Sequence, residues 1–143
     1  MFSKTCEYGI RSCIYITCQS LKGKRPNLQD VSKMIESPDA FTAKIIRQLV
    51  KKGIVKSSKG PGGGFEVDVE IIKSISLYEV IEVFDGNVLN RCSLGLKEGS
   101  EIHPCPFHHQ YKPLKEQLIQ LYSSTTMYEL TDKLEVGSTF LKI

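Results

Sequence analysis

The chain has 143 residues, of which 41% are apolar and 24% are charged. These values are typical of one packed globular domain, or of a small domain with an extension. No apolar run approaches the roughly 20 residues that a membrane-spanning helix needs. The N-terminus, MFSKTCEYGIR, lacks the apolar region and cleavage pattern of a signal peptide. We therefore expect a cytoplasmic protein.

The net charge of +3 is small, but it is distributed unevenly. Positions 44 to 59 carry six basic residues and no acidic one, namely Lys44, Arg47, Lys51, Lys52, Lys56 and Lys59. A basic segment on a nearly neutral body fits a surface that binds a polyanion. A solvated helix face with the same composition is the alternative.

The first 36 residues predict two helices. The first runs from about Lys4 to Leu21, and Cys6 and Cys13 share a face with Ile10 and Ile14, so we expect both cysteines in the core. A second, shorter helix follows from the spacing of Leu28, Val31 and Ile35. Pro38 then suits the start of another helix, because it disfavours helical geometry in the residue before it.

The third predicted helix, residues 40 to 52, is the most periodic segment of the chain. At about 100° per residue, its apolar side chains share one arc, formed by Phe41, Ile45, Ile46, Leu49 and Val50. The opposite arc carries Ala40, Ala43, Lys44, Arg47, Gln48 and Lys51. One side is therefore expected to pack, while the other is flat near its start and basic further along. Gly53 then ends the helix.

A glycine-rich turn follows the third helix. Two β-prone runs, IVKSS and GFEVD, flank KGPGG and predict a hairpin. Three helices followed by a hairpin make a winged helix-turn-helix, so the predicted fold class is mainly α with a small β-hairpin. In that arrangement the third helix enters the major groove of DNA and the hairpin lies beside it.

Residues 76 to 143 are predicted to form one compact unit beside the winged helix-turn-helix of residues 1 to 75. Capping boxes at Ser76–Glu79 and Thr126–Glu129 predict two helix starts. Between them a longer helix is predicted from about Tyr111, with Pro113 in its first turn and an apolar stripe of Leu114, Leu118, Leu121 and Tyr122. The stripe either packs on its own domain or pairs with a second copy, and a homodimer would supply two recognition helices for a palindromic site.

Two of the five cysteines lie in CSLGLKEGSEIHPCPFHH, residues 92 to 109, together with all three histidines. An odd number of cysteines without a secretion signal argues against a disulfide framework. This loop is therefore a candidate site for metal or thiol chemistry.

The segment LQDVSKMIESPDAFTAKIIRQLVKKGIVKSSKGPGGGFEV resembles the signature region of the Rrf-two type bacterial regulators. EYGIR, the capped segment ISLYEVIEVFDG and the Cys-containing loop before a long helix extend the resemblance over about residues 1 to 135. It implies a cytoplasmic, homodimeric winged-helix transcription factor. We interpret the chain as a sequence-specific repressor that senses redox state, an iron–sulfur cluster or a small molecule.

The resemblance also implies which residues meet double-stranded DNA. In that family the start of the third helix reads bases and the wing enters the minor groove. The matching positions are Ala40, Thr42, Ala43 and Lys44, with Arg47 further along the helix, Lys59 in the wing, and Gly60, Gly62 and Gly63 at its turn. A nucleotide-binding loop is not expected from these glycines, because no GK[ST] follows them.

Cluster-binding relatives carry three cysteines in the loop before the long helix. Cys92 matches the first and Cys105 the last, while Gly99, which has no donor atom, stands at the middle position. Three interpretations stay open. The loop holds no cofactor, or a 2Fe–2S cluster with mixed ligands Cys92, Cys105 and His108, or a redox pair or zinc site with His103 or His108.

Two other classes of function were weighed. We do not expect an enzyme, because the sequence contains no defensible catalytic triad, carboxylate pair or nucleotide site, and Cys105 near His108 is the only candidate nucleophile pair. An interaction module or thiol redox protein that has lost DNA binding is the alternative. The basic arc of the third helix argues against it.

Overall fold

The computed structural model describes residues 1–96, 101–135, 137 and 139–141. It is mainly helical with one two-stranded antiparallel sheet, which confirms the predicted fold class. The elements in chain order are α1 (Lys4–Leu21), α2 (Leu28–Ile35), α3 (Asp39–Lys51), β1 (Lys56–Ser58), β2 (Gly64–Glu66), α4 (Val69–Ile72), α5 (Leu77–Asp85), a 3-10 helix (Val88–Asn90), α6 (His108–Ser124) and α7 (Met127–Glu135).

Helix α1 is the centre of the molecule. Ser3 caps its start, because the Ser3 hydroxyl accepts a hydrogen bond from the backbone N–H of Cys6 at 3.1 Å. Cys6 and Cys13 are fully buried, as their spacing predicted, and Cys18 is buried as well. The helix packs against α2 and α3 on the N-terminal side of the chain and against α5 and α7 on the C-terminal side.

Both halves of the chain share one hydrophobic core. Val80 and Met127 belong to the same buried cluster as Ile16 and Leu49. Close packing of α1 on α5 depends on Gly9, since a Cβ at that position would lie 2.2 Å from Cε2 of Phe84. The boundary at residue 75 therefore divides the sequence, while the core continues across it.

The helix-turn-helix consists of α2 and α3. Asn27 and Asp30 form a capping box at the start of α2, which fixes where this short helix begins. Glu36 then adopts a left-handed conformation with φ of 55°, and Pro38 precedes α3. The buried face of α3 carries Ile45, Ile46 and Leu49, three of the residues that its periodicity predicted.

The strands are shorter than their β-prone runs. Antiparallel pairing joins Lys56 to Glu66, Ser57 to Phe65 and Ser58 to Gly64. The outer residues of the two runs, Ile54, Val55 and Val67, are buried in the core instead. Hydrophobic burial therefore ends the ladder earlier than β propensity alone suggested.

Both predicted capping boxes in the C-terminal half are present. The side chain of Glu79 accepts from the Ser76 N–H at 2.7 Å, and that of Glu129 accepts from the Thr126 N–H at 2.8 Å. Ser76 and Thr126 also form an antiparallel β-bridge, so the two helix starts hold each other in place. These contacts fix α5 and α7 side by side.

Helix α6 begins earlier than the sequence indicated. It starts at His108 rather than near Tyr111, so Pro113 is the sixth helical residue and lies beyond the first turn. The backbone N–H of Tyr111 donates to Phe107 O at 3.0 Å and belongs to this added turn. The short helix α4 was not predicted. Among the described residues, no helix is long and apolar enough to cross a membrane.

Candidate nucleic-acid interface

The solvent-facing side of α3 is small at its start and basic further along. Ala40, Lys44 and Arg47 are exposed, and Ala43 is partly buried. The opposite side of the helix packs into the core, so these side chains are held on a rigid element. A surface of this kind can approach DNA closely through its alanines and donate hydrogen bonds through its cations.

Thr42 does not belong to this surface, which corrects the sequence-based assignment. Its side chain is fully buried, and its hydroxyl donates to Pro38 O at 3.0 Å. The hydroxyl thus bonds within the first turn of α3. Thr42 positions the start of the helix and presents no side chain to a ligand.

A groove separates α3 from the hairpin. Its lining includes Ala43 and Arg47 from the helix and Ser57 and Lys59 from the hairpin, and Ile46 and Phe65 contribute apolar surface. Residues that are 12 positions apart in sequence, Arg47 and Lys59, therefore line one groove. The fold brings the two basic parts of the predicted interface together.

The cations of this surface are not neutralised by neighbouring carboxylates. In the described part of the chain, no carboxylate oxygen lies within 4 Å of the charged atoms of Lys44, Arg47 or Lys59. Lys56 differs, since its ammonium lies 3.9 Å from Asp68 Oδ2. The positive potential of the groove is thus available to an anion.

Glycines shape the wing tip, defined here as residues 59 to 63. Gly60 and Gly62 adopt φ of 84° and 74°, values that side chains with a Cβ rarely adopt. A Cβ on Gly63 would lie 2.5 Å from Ser58 O. These three glycines permit the turn that carries Lys59, which is a conformational role.

The wing is fastened to the loop between α1 and α2. The Phe65 N–H donates to Pro26 O at 2.9 Å, and the Arg25 Nε donates to Glu66 Oε2 at 2.9 Å. At Gly64 a Cβ would lie 2.7 Å from Arg25 O, so only glycine fits this approach. Sequence reasoning missed Arg25 and Pro26, because a polar turn carries no periodic signal. The basic residue before a proline was the one available hint.

Comparison with known proteins identifies the family. The model of the Rrf2 family, described as iron-dependent transcriptional regulators, matches residues 2–133. The chain belongs to this family. It is 32% identical to a protein of Aquifex aeolicus described as a candidate HTH-type transcriptional regulator, over 91% of this chain and 90% of the relative. The HTH-type transcriptional regulator IscR of Klebsiella pneumoniae is 28% identical over 90% of this chain and 78% of the relative.

Solved structures agree with this fold. The global cysteine regulator CymR of B. subtilis superimposes with a TM-score of 0.76 at 17% identity, covering 92% of this chain and 96% of CymR. IscR of T. potens gives a TM-score of 0.73 at 16% identity, covering 97% of this chain and 91% of that protein. The protein is thus a DNA-binding transcriptional regulator with a winged-helix fold.

The loop before α6 brings Cys92 and Cys105 together. Both are partly buried free thiols, and the Cys105 thiol hydrogen-bonds to the sulfur of Cys92. Hydrogen bonds from the backbone of Leu94 and Leu96, the bond from Cys105 and the nearby Lys115 charge lower the pKa of Cys92 below its ordinary value.

His108 is placed differently from a third ligand. It lines the same small pocket as the two cysteines but is buried, and its Nε2 lies 3.4 Å from Glu101 Oε1. Lys112 hydrogen-bonds to the same carboxylate oxygen. The ring nitrogen is therefore occupied by an ion-pair network on the first turns of α6.

An iron site implied by the family can be tested against these donors. Among the described residues, no three His, Cys, Asp or Glu side chains converge in a way that could hold a metal ion. Gly99, at the position of the middle family cysteine, lies outside the described residues and has no side-chain donor. His103 and His109 are exposed. The two thiols fit soft-metal chemistry, but the described set does not match three-thiolate ligation.

Proposed function

We propose that the protein is a homodimeric repressor that binds a pseudo-palindromic operator. In each copy α3 enters the major groove and the wing tip enters the adjacent minor groove. The observation that carries this proposal is the groove in which Arg47 and Lys59 face each other without a neutralising carboxylate. Recognition is then the whole activity, and no catalytic step is required.

Each interface residue has a role that its chemistry suits. Lys44 and Arg47 donate to guanine O6 and N7 or to phosphate, and the methyl groups of Ala40 and Ala43 suit thymine methyls. Lys59 suits a narrow minor groove, where negative potential attracts cations. Gly60, Gly62 and Gly63 act by shaping the wing tip.

The exposed apolar face of α6 supports the homodimer. Leu114 and Leu121 are each 56% exposed, although they lie on a helix whose other side packs on α5. A second copy related by a twofold axis would cover both α6 faces at once. It would also place two α3 helices for half-sites about one DNA turn apart, roughly 34–36 Å.

Binding sites selected from a random duplex library by the reduced protein provide the test. Affinity is then measured by fluorescence anisotropy at several salt concentrations. We expect Lys44→Ala and Lys59→Ala each to weaken binding by about 1–3 kcal/mol if the contact is to a base. If it is to phosphate, each should lower the salt slope by about 0.9.

The matched control is Lys73→Ala. Lys73 lies at the end of α4 and pairs with Glu70 at 2.9 Å, so this variant loses the same charge away from the groove. Its affinity should equal that of the parent protein. Failure to select any DNA site would support an interaction module without DNA binding. Equal loss in all three variants would show that the charge acts without the proposed docking.

A further inference from the structure

Cys92 and Cys105 differ from the other three cysteines in their environment. Cys6, Cys13 and Cys18 are buried inside α1, where a dissolved oxidant has no access. Cys92 and Cys105 are partly exposed, on the loop that joins the 3-10 helix to α6. Their sulfur atoms are already in hydrogen-bond contact. Disulfide formation therefore needs only a local approach of two side chains, to about 2.05 Å between the sulfurs.

The surroundings of the pair are cationic. Arg91, Lys112 and Lys115 line the pocket that contains both thiols. Hydrogen bonds from the backbone of Leu94 and Leu96 reach the sulfur of Cys92. A sulfur that accepts such bonds in a basic, partly open pocket is the better nucleophile of the pair, so Cys92 attacks first.

We propose that Cys92 and Cys105 are a redox-active dithiol that a hydroperoxide oxidises to an intramolecular disulfide. The sulfur of Cys92 attacks one peroxide oxygen, the O–O bond breaks, and a sulfenic acid and one water form. Cys105 then attacks the Cys92 sulfur, the S–O bond breaks, and the hydroxyl leaves as water with the proton of the Cys105 thiol. Two thiols and one hydrogen peroxide thus give one disulfide and two waters.

The position of the pair links this chemistry to the proposed function, on which this step rests. Cys92 follows the 3-10 helix, whose Leu89 is buried, and Cys105 O accepts from the His108 N–H at the start of α6. A disulfide would pull the start of α6 towards the 3-10 helix. Because α6 carries the proposed dimer face, we expect oxidation to lower operator affinity by about 5-fold or more.

The covalent step is tested without DNA. The full-length protein, purified without oxygen and reduced, is treated with stoichiometric hydrogen peroxide, denatured, alkylated and analysed by mass spectrometry. We expect the monomer to lose two hydrogen atoms, with a peptide link between Cys92 and Cys105 and three alkylated cysteines. Dithiothreitol should reverse the change. A bridge between copies, or consumption of Cys18 at the same rate, would overturn the assignment.

Two variants separate the roles of the thiols. Cys105→Ser should accumulate a sulfenic acid on Cys92 that a dimedone probe traps, whereas Cys92→Ser should form no such adduct at Cys105. Equal trapping in both variants contradicts the assigned order of attack. Iron and sulfide in the anaerobic protein, with both cysteines protected from alkylation, would replace the dithiol by a cluster and overturn the proposal.

Operator affinity of the reduced and oxidised protein then tests the sensor role. Cys92→Ser and Cys105→Ser should bind with the affinity of the reduced parent and ignore peroxide. Unchanged affinity of the oxidised parent contradicts the sensor role. A reduced protein that binds no DNA would instead contradict the proposed function, and the mass measurement would still decide the chemistry of the pair.

Discussion

Arg25 donates through Nε to Glu66 at 2.9 Å and joins the loop between α1 and α2 to strand β2. The Phe65 N–H donates to Pro26 O beside this pair, so backbone and side chain fasten the wing at one place. A two-stranded hairpin is only marginally stable alone. The direction in which Lys59 points therefore depends on residues that lie about 40 positions earlier in the chain.

Gly64→Ala should disturb this fastening. The added Cβ would lie 2.7 Å from both Arg25 O and Pro26 O, and the φ of 147° already disfavours a side chain. We expect a loss of about 1–3 kcal/mol in the free energy of unfolding, measured by urea titration. Gly62→Ala is the control, because nothing lies within 4 Å of its Cβ position and only its φ of 74° is unfavourable. Equal losses in both variants would refute a steric role for Gly64.

Arg25→Gln and Glu66→Gln test whether the ion pair positions the wing. Both side chains are partly solvent-exposed, so each variant should change stability by less than about 1 kcal/mol. Both should nevertheless weaken operator binding, because the wing loses its orientation. If the charge of Arg25 acted only by attracting DNA, Glu66→Gln would strengthen binding, since it removes a negative charge. Anisotropy measurements on the two variants distinguish these outcomes.

The local elements were predictable because their signals are short-range. Ser76 with Glu79, and Thr126 with Glu129, announce helix starts within four residues, and both boxes are present. The periodicity of residues 40 to 52 identified the buried face of α3 and, with it, the exposed face that carries Lys44 and Arg47. The family resemblance added the wing cation Lys59.

Tertiary contacts were not predictable in the same way. Thr42 falls beside the exposed arc of α3, yet Pro38 and the core enclose it. The Arg25–Glu66 pair joins residues 41 positions apart, and no local pattern encodes such a contact. The early start of α6 was hidden because Pro113 disfavours helical geometry in the residue before it, but the helix continues through this position.

The exposed leucines of α6 predict how the oligomer can be broken. Leu114→Glu and Leu121→Glu should each give a monomer, because a charge buried in a dimer interface without a partner costs several kcal/mol. Ile71→Glu is the matched control, since Ile71 is an exposed apolar residue on α4. Light scattering coupled to size-exclusion chromatography measures the mass in solution. A parent protein that is already monomeric would contradict the proposed homodimer.

The buried thiols of α1 predict a loss of stability at alkaline pH. Burial raises the pKa of Cys6 and Cys13 to about 12 and that of Cys18 to about 11, and a hydrogen bond to Glu135 adds to the increase at Cys18. An unfolded thiol ionises near pH 8.5, so above that pH the unfolded state binds fewer protons than the folded state. Stability is therefore complete below about pH 8 and falls towards pH 11.

The slope of this loss counts the thiols. Each buried cysteine contributes up to about 1.4 kcal/mol per pH unit once its unfolded form is ionised. Urea titrations of reduced protein between pH 8 and pH 10.5 should show a shallower slope in Cys13→Ala than in the parent, whatever the overall stability of the variant. Cys92→Ser should not flatten it, because the pKa of Cys92 is lowered rather than raised. An unchanged slope in Cys13→Ala would mean that the Cys13 thiol ionises in the folded protein.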